Sequence, residues 1–263
     1  MPRFRSSGGV CLNYEIAGAD DADVLILLHA NPFDSRMWLY QMAHLSQYCR
    51  VVVLDLPGYG KSDPLGNKAI SIADMAKDVW CLLKELRTDV AVVAGLSVGS
   101  SIATQFALDF QPHVKALIVA GGGAGPIPRT RMEERIMGYR QRGISYRRQH
   151  IESLVTREFT SSDLGQYLIS LFLETNRTTD VESIVHIFEA LGEHDVTTML
   201  HEIKVPTLII SGEEDSALPR ARELNKAIGG SQHAIIKGAG HACALEKPWE
   251  FDALVLGFLT GKA

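Results

Sequence analysis

The chain has 263 residues, of which 22% are charged, and a formal net charge of −5. That length allows one α/β domain with a large buried core. The acidic balance lacks the basic face that binding to nucleic-acid phosphates requires, so we expect no nucleic-acid partner.

The first residues and the cysteines indicate the cellular compartment of the protein. The segment MPRFRSSGGVCLNYE has no apolar stretch typical of a signal peptide. No later stretch approaches the roughly 20 apolar residues that span a bilayer. The cysteines lack the paired spacing of a zinc site or a disulfide framework. They are Cys11, Cys49, Cys81 and Cys243. We therefore expect a cytoplasmic protein with reduced cysteines, no metal site and no membrane segment.

Continuous apolar runs, rich in Val, Ile and Leu, predict buried strands. A strand with one face in solvent alternates apolar and polar residues, so continuous runs are typical of a parallel sheet covered on both faces. The earlier segment 10–18 alternates better and is predicted to be an outer antiparallel strand. The continuous runs are residues 24–29, 50–56, 89–96, 115–121, 207–212 and 233–238.

Helical patterns separate these runs. After Ser71, apolar residues recur at steps of three and four, and Asp74 occupies the capping-box position. Further helices are predicted after Ser97, closed by Pro112, and after Pro248. Because strand and helix alternate, the sheet should be mainly parallel with right-handed crossovers.

Residues 122–200 interrupt this alternation, since they contain no strand-like run and are polar, helical in pattern and rich in arginine. We interpret them as a helical cap inserted into a core made of residues 1–121 and 201–263.

The cap arginines leave two interpretations open. Their guanidinium groups can bind a carboxylate with two parallel hydrogen bonds, which would favour an acidic substrate. A solvated helix face is the stronger interpretation, because Glu133 and Glu134 are close in sequence. The arginines are Arg129, Arg131, Arg135, Arg140, Arg142, Arg147 and Arg148.

The motif GLSVG, residues 95–99, lies between a predicted strand and a predicted helix. A strand before the motif and a helix after it are typical of a nucleophile elbow, a sharp turn on which a serine exposes its Oγ. The N–H groups and the dipole of the following helix would point at developing negative charge. We predict that Ser97 is a nucleophile, the alternative being an ordinary turn of small residues.

A serine hydroxyl is a weak nucleophile and needs an adjacent base. His241 follows the last predicted strand, at the carboxyl edge of the sheet where ligands bind in open α/β folds. Asp215, after the preceding strand, is predicted to orient this base. Glu213 and Glu214 are nearby alternatives that we interpret as solvated loop charges.

The loop HANPFDSRMW, which begins at His29, is predicted to complete an oxyanion hole. The backbone N–H groups of Asn31 and Val98 would donate to the oxyanion. Phe33 and Trp38 are predicted to contact the substrate, although helix packing is an alternative for Trp38. We expect His29 to hold the loop in place, the alternative being a direct catalytic role. For Asn31 the alternative is an ordinary turn residue.

Together these segments resemble the α/β-hydrolase superfamily, in the branch that contains small esterases, 3-oxoadipate enol-lactonases, meta-cleavage C–C hydrolases, cofactor-free haloperoxidases and haloalkane dehalogenases. The chain order Ser97, Asp215, His241 matches the family order. The resemblance implies an eight-stranded, mostly parallel sheet flanked by helices, with the cap roofing the substrate pocket. Ala30 and Ser100 depart from the family, which usually has glycine at both positions. The motifs are HANPFDSRMW, DLPGYGKSD, GLSVG, SGEEDSALP and GAGHACALEKP.

This pattern favours a serine hydrolase that cleaves a small carboxylic ester or lactone through an acyl-enzyme on Ser97, without metal or organic cofactor. A haloalkane dehalogenase would need a carboxylate at this position. A C–C bond hydrolase of a ring-cleavage dienoate would use the same triad. A non-catalytic ligand receptor on a hydrolase fold is the alternative from another class. The expected partner is a small-molecule substrate, and the oligomeric state is not predicted.

Overall fold

The computed structural model describes residues 2–261. Within this range one sheet contains eight strands. They are β1 (Arg3–Arg5), β2 (Cys11–Ala17), β3 (Val24–Leu28), β4 (Arg50–Leu54), β5 (Ala91–Leu96), β6 (Val114–Ala120), β7 (Thr207–Gly212) and β8 (Gln232–Ile236). Their spatial order is β1-β2-β4-β3-β5-β6-β7-β8. The pairs β1–β2 and β2–β4 are antiparallel and the other pairs are parallel. The predicted eight-stranded, mostly parallel sheet is confirmed.

The continuous apolar runs form β3 to β8, but β8 lies at the edge of the sheet and only its Ile236 is buried, so the burial predicted for 233–238 is wrong. Every residue of β3, β5 and β7 is buried, because helices cover both faces of these strands. The alternating segment 10–18 forms β2 and is antiparallel as predicted, but it is not the outermost strand. The edge strand β1 was not predicted, since three residues are too few to show an alternating pattern.

Helices connect the strands and cover the sheet. They are α1 (Leu39–Leu45), α2 (Ile72–Glu85), α3 (Val98–Asp109), α4 (Arg129–Arg142), α5 (Arg147–Glu152), α6 (Arg157–Ser161), α7 (Asp163–Leu173), α8 (Val181–Glu193), α9 (Leu218–Ala227), α10 (Cys243–Glu246) and α11 (Pro248–Thr260). The predicted capping box is present, since Ser71 Oγ accepts from the Asp74 N–H at 3.0 Å and Asp74 Oδ2 accepts from the Ser71 N–H at 3.2 Å.

Helices α4 to α8 all lie within residues 122–200, the segment predicted to be a cap. Their apolar side chains continue the buried cluster on one side of the sheet, where Tyr139 and Ile184 join Leu56 and Ile72. In addition, the Leu65 N–H donates to Ser183 Oγ at 2.9 Å. The cap segment is therefore packed onto the residues around the sheet, and its status as a separate domain stays a prediction.

The described residues also bear on the expected absences. Between residues 2 and 261, no helix is long and apolar enough to cross a membrane. The same range contains no cluster of three or more His, Cys, Asp or Glu side chains that could hold a metal ion. All four cysteines are free, with Cys49 and Cys243 buried.

Candidate active site

Ser97 lies at the sharp turn between β5 and α3. Its backbone has φ 58° and ψ −117°, a conformation that is strained for a residue with a side chain. A Cβ on Gly99 would lie 2.2 Å from the carbonyl oxygen of Leu28, so only glycine allows this turn to pack against β3. The strand–turn–helix context predicted for GLSVG is therefore present.

His241 and Asp215 meet at the carboxyl edge of the sheet, in the loops that follow β8 and β7. The Nδ1 atom of His241 lies 3.0 Å from Oδ1 and 3.0 Å from Oδ2 of Asp215. Since a carboxylate can only accept, Nδ1–H donates to it and leaves Nε2 free to take up a proton. The alternative carboxylate Glu213 is exposed, and its Oε2 accepts from the Gly238 N–H at 3.1 Å.

The carboxylate of Asp215 is buried, with 5% of its surface exposed. Burial acts to raise its pKa, because it disfavours the charged form. The charge and hydrogen bond of His241, together with the Ala217 N–H at 2.8 Å, outweigh burial and hold the pKa of Asp215 below its usual value. At neutral pH Asp215 is therefore an ionised acceptor beside His241.

The loop after β3 places Asn31 at the same cavity as Ser97. Among residues 2–261, the backbone N–H groups of Asn31 and Val98 have no protein acceptor. The phenol of the fully buried Tyr59 donates to Asn31 Oδ1 at 2.6 Å and fixes that side chain. Tyr59 was not predicted to lie here, because a tyrosine in a glycine-rich loop carries no sign of a contact with a residue 28 positions away.

His29 lies behind this loop and is fully buried. Burial lowers its pKa, so the imidazole is neutral. Its Nε2 accepts from the Leu56 N–H at 2.9 Å, next to the end of β4. This contact fits the predicted role of His29 in holding the loop.

A cavity of about 500 Å³ brings the predicted residues together. Ser97, Asp215, His241 and Asn31 all line it, while Val98 follows Ser97 at the start of α3. Its other walls include side chains from α4, α5 and α8 of the cap segment. Those side chains include Met132, Arg135, His150, Phe188 and Leu191.

Phe33 and Trp38 do not line this cavity. Both side chains are fully buried, and each ring packs against another aromatic ring. Phe33 lies edge-on to Phe172 with 4.9 Å between ring centroids, and Trp38 is tilted against Phe251 at 5.9 Å. Phe33 and Trp38 therefore pack in the core and do not contact the cavity as predicted. For Trp38, packing was the alternative.

Arg147 also differs from expectation, because it is fully buried rather than part of a solvated helix face. Its Nε donates to the carbonyl oxygen of Pro32 at 2.9 Å, and Nη1 donates to that of Phe172 at 2.9 Å. Its Nη2 lies 3.6 Å from Oδ2 of the buried Asp34. Arg147 thus connects α5 to the loop that carries Asn31. This role could not be predicted from the sequence, because the seven cap arginines look alike there.

The chain matches known proteins over most of its length. Residues 23–248, which include Ser97, Asp215 and His241, match the family model for the alpha/beta hydrolase fold. A relative from Yersinia pseudotuberculosis serotype IB (strain PB1/+), named pimeloyl-(acyl-carrier protein) methyl ester esterase, is 30% identical over 258 residues, covering 94% of this chain and 96% of the relative.

Two further similarities concern other hydrolases. A 2-hydroxy-6-oxononadienedioate/2-hydroxy-6-oxononatrienedioate hydrolase from Escherichia coli O139:H28 is 28% identical, covering 95% of this chain and 91% of the relative. The crystal structure of the enol-lactonase from Burkholderia xenovorans LB400 matches with a TM-score of 0.91 at 26% identity, covering 98% of this chain and 100% of that one. The similarity therefore extends over sheet and cap alike.

Proposed function

This chain belongs to the α/β-hydrolase family, and we propose that it hydrolyses a small carboxylic ester or lactone through an acyl-enzyme on Ser97. The observation that carries the proposal is the shared cavity, in which Ser97 at its strained turn meets the hydrogen-bonded pair of His241 and Asp215. The esterase and enol-lactonase among the similar proteins support the same bond type.

In the first step, Ser97 Oγ attacks the carbonyl carbon of the substrate while Nε2 of His241 takes the hydroxyl proton. Asp215 stabilises the imidazolium that forms. The carbonyl oxygen becomes an oxyanion and accepts from the N–H groups of Asn31 and Val98, which lack protein acceptors in residues 2–261. When the carbonyl re-forms, the bond to the alcohol oxygen breaks and His241 returns the proton to that oxygen.

In the second step, water replaces the alcohol. His241 takes a proton from water, and the resulting hydroxide attacks the acyl carbon of the ester on Ser97. The carboxylic acid leaves and Ser97 regains its proton from His241. A lactone follows the same course, except that its alcohol and acid stay joined in one product.

A second candidate reaction is cleavage of a carbon–carbon bond in a ring-cleavage dienoate. The relative from Escherichia coli, which is named as a dienedioate hydrolase, favours it. Because both reactions use the same three side chains, only the preferred substrate separates them. A non-catalytic receptor is the candidate from another class, and it would bind these compounds without turnover.

The deciding experiment compares kcat/KM on a short aryl ester, an enol-lactone and a ring-cleavage dienoate. We expect the ester or lactone to give the highest value. Ser97→Ala should lower kcat by at least about 10³-fold, since only oxyanion stabilisation and binding remain. Ser101→Ala, which removes another hydroxyl at the same cavity, should keep most of the activity.

Covalent labelling provides an independent measurement. Mass spectrometry after treatment with an alkyl fluorophosphonate should find one adduct, on Ser97, in the native protein and none in Ser97→Ala. A dienoate preference would instead favour the C–C hydrolase. Failure to turn over any of the three compounds, with no adduct, would favour the receptor.

A further inference from the structure

The arginines on the outside of the cap segment and those that line the cavity differ in their partners. Three exposed arginines of the cap segment form salt bridges with glutamates. The pairs are Arg129–Glu133 at 2.7 Å, Arg140–Glu189 at 2.8 Å and Arg148–Glu152 at 3.1 Å. The arginines that line the cavity form no salt bridge with any carboxylate in residues 2–261. They are Arg131, Arg135, Arg157 and Arg220. Glu134, Glu214 and Asp215 also line the cavity, but none of them forms a salt bridge with these arginines.

Arg135 is the best positioned of these arginines. Its Nη1 donates to the Tyr146 hydroxyl at 3.1 Å, and its Nη2 donates to Ser153 Oγ at 2.7 Å. Both partners are neutral, so they hold the guanidinium group in place without cancelling its charge. A guanidinium has five N–H donors, and these contacts leave the others available for a ligand.

His150 supplies a second polar group on the same wall. It is almost fully buried, with 2% of its surface exposed, and it lines the cavity. Its Nδ1 lies 3.0 Å from the Tyr139 hydroxyl, while its Nε2 has no hydrogen-bond partner among residues 2–261. Burial, together with the positive charge of Arg135, lowers the pKa of His150 well below its usual value, so the ring is neutral.

The hydrogen bond with Tyr139 sets the tautomer of this ring. Burial raises the pKa of Tyr139, so its hydroxyl keeps its proton, and His150 Nδ1 is the acceptor within its reach. If Tyr139 donates to Nδ1, the imidazole proton is on Nε2. His150 then presents an N–H donor to the cavity.

Arg135 and His150 are neighbours through Ser153 and Tyr146. Ser153 Oγ accepts from Arg135 and donates to the carbonyl oxygen of His150 at 2.6 Å. Tyr146, whose hydroxyl accepts from Arg135, stacks its ring on His150 with an interplanar angle of 21°. A cation and a neutral donor thus lie side by side on the cap wall, whereas Ser97 lies at the sheet edge.

We propose that Arg135 and His150 form a subsite for a carboxylate of the substrate remote from the scissile bond. The preferred substrates are then half esters of dicarboxylic acids, or esters and lactones that carry a carboxylate elsewhere. A bound carboxylate is favoured by a charged partner and several donors, and this wall provides both. The proposal rests on the proposed ester hydrolysis at Ser97.

The test compares two aryl esters of equal size, the 4-nitrophenyl half ester of adipate and its ω-carboxamide, which lacks the charge. The native protein should have the higher kcat/KM on the half ester. Arg135→Gln should lower this value by about 10- to 100-fold, mainly through KM, since a charge-assisted contact is lost. Its activity on the carboxamide should change little.

Arg140→Gln is the matched control, because it removes an arginine of the same helix whose partner is Glu189 on the outer surface. It should leave both substrates unaffected. Equal losses on both esters in Arg135→Gln would show a structural role and overturn the proposal. A second pair, with the carboxylate or carboxamide on the alcohol side, covers the other substrate orientation, and no charge preference in either pair would also overturn it.

Direct binding separates this proposal from the proposed function. Calorimetric titration of Ser97→Ala with the half ester should give a lower Kd than titration with the carboxamide, and Arg135→Gln in the same background should abolish the difference. If the native protein hydrolyses neither ester but this binding pattern holds, the subsite stands and the proposed reaction falls. If both esters are hydrolysed and bound equally, the reaction stands and the subsite falls.

Discussion

Among single residues, Asp215 illustrates how local environment sets protonation. Its carboxylate is buried, yet His241 and the Ala217 N–H hold its pKa below the usual value. A folded-state pKa below the unfolded value means that the ionised group stabilises the fold above the unfolded pKa of about 3.9. That contribution is lost as the pH falls through the lower folded-state pKa.

Asp215→Asn should therefore reduce both activity and acid-dependent stability. We expect kcat to fall by about 10⁴-fold, because an amide at this position no longer holds the imidazole in the productive tautomer. The difference in unfolding free energy between the native protein and the variant should be largest above about pH 5 and shrink as the pH falls below about 4. Urea unfolding at a series of pH values measures it.

Glu213→Gln is the control, since Glu213 lies two residues away and is exposed. It should leave kcat and the acid dependence of stability nearly unchanged. If Glu213→Gln lost activity while Asp215→Asn kept it, the assignment of the orienting carboxylate would be wrong.

Helix α5 is positioned by contacts with residues distant in the sequence, and Arg147 makes these contacts. Its guanidinium group spans from the cap segment to the carbonyl oxygen of Pro32, in the loop that carries Asn31, and to the buried Asp34. Asp34 is also paired with Arg36, so without Arg147 it is the buried carbonyl oxygen of Pro32 that loses its donor.

Arg147→Met should lower the unfolding free energy by about 2–4 kcal/mol, because the hydrogen bonds from its guanidinium group to the carbonyl oxygens of Pro32 and Phe172 are lost. It should also lower kcat, since the Asn31 N–H is no longer held at the oxyanion position. Denaturant unfolding and ester hydrolysis measure the two effects. Arg148→Met, which removes the adjacent exposed arginine paired with Glu152, should change stability by less than about 1 kcal/mol. Equal effects of the two substitutions would contradict this role for Arg147.

At the scale of the whole molecule, the cap segment and the residues around the sheet share one buried cluster. Tyr139, Ile184 and Phe188 of the cap pack with Leu56 and Ile72 of the core. Because neither part can expose this cluster without a large loss of buried apolar area, we expect them to unfold together.

Two probes test this cooperativity. Tryptophan fluorescence reports only on the core, because Trp38, Trp80 and Trp249 all lie outside residues 122–200. Far-ultraviolet ellipticity reports on the helices of cap and core together. Their urea transitions should coincide. Loss of ellipticity ahead of the fluorescence change would show instead that the cap unfolds as an independent domain.

Local sequence patterns predicted seven of the eight strands, the turn at Ser97 and the loops that carry Asp215 and His241. Apolar runs and small-residue turns are local patterns, and parallel strands bring their carboxyl ends to one edge of the sheet. The residues that follow β5, β7 and β8 were therefore predicted to meet at one edge of the sheet, where the structure places them around one cavity.

Which side chains face the cavity depends on tertiary contacts that local patterns do not show. Phe33 and Trp38 were expected at the cavity but lie in the core. Tyr59 and His150 were not predicted there, yet Tyr59 contacts Asn31 and His150 lines the cavity. The cap arginines look alike in sequence, yet Arg147 is buried while others are exposed. Burial depends on partners distant in the chain, such as Arg147 and Pro32, 115 positions apart, and no local pattern records such a pairing.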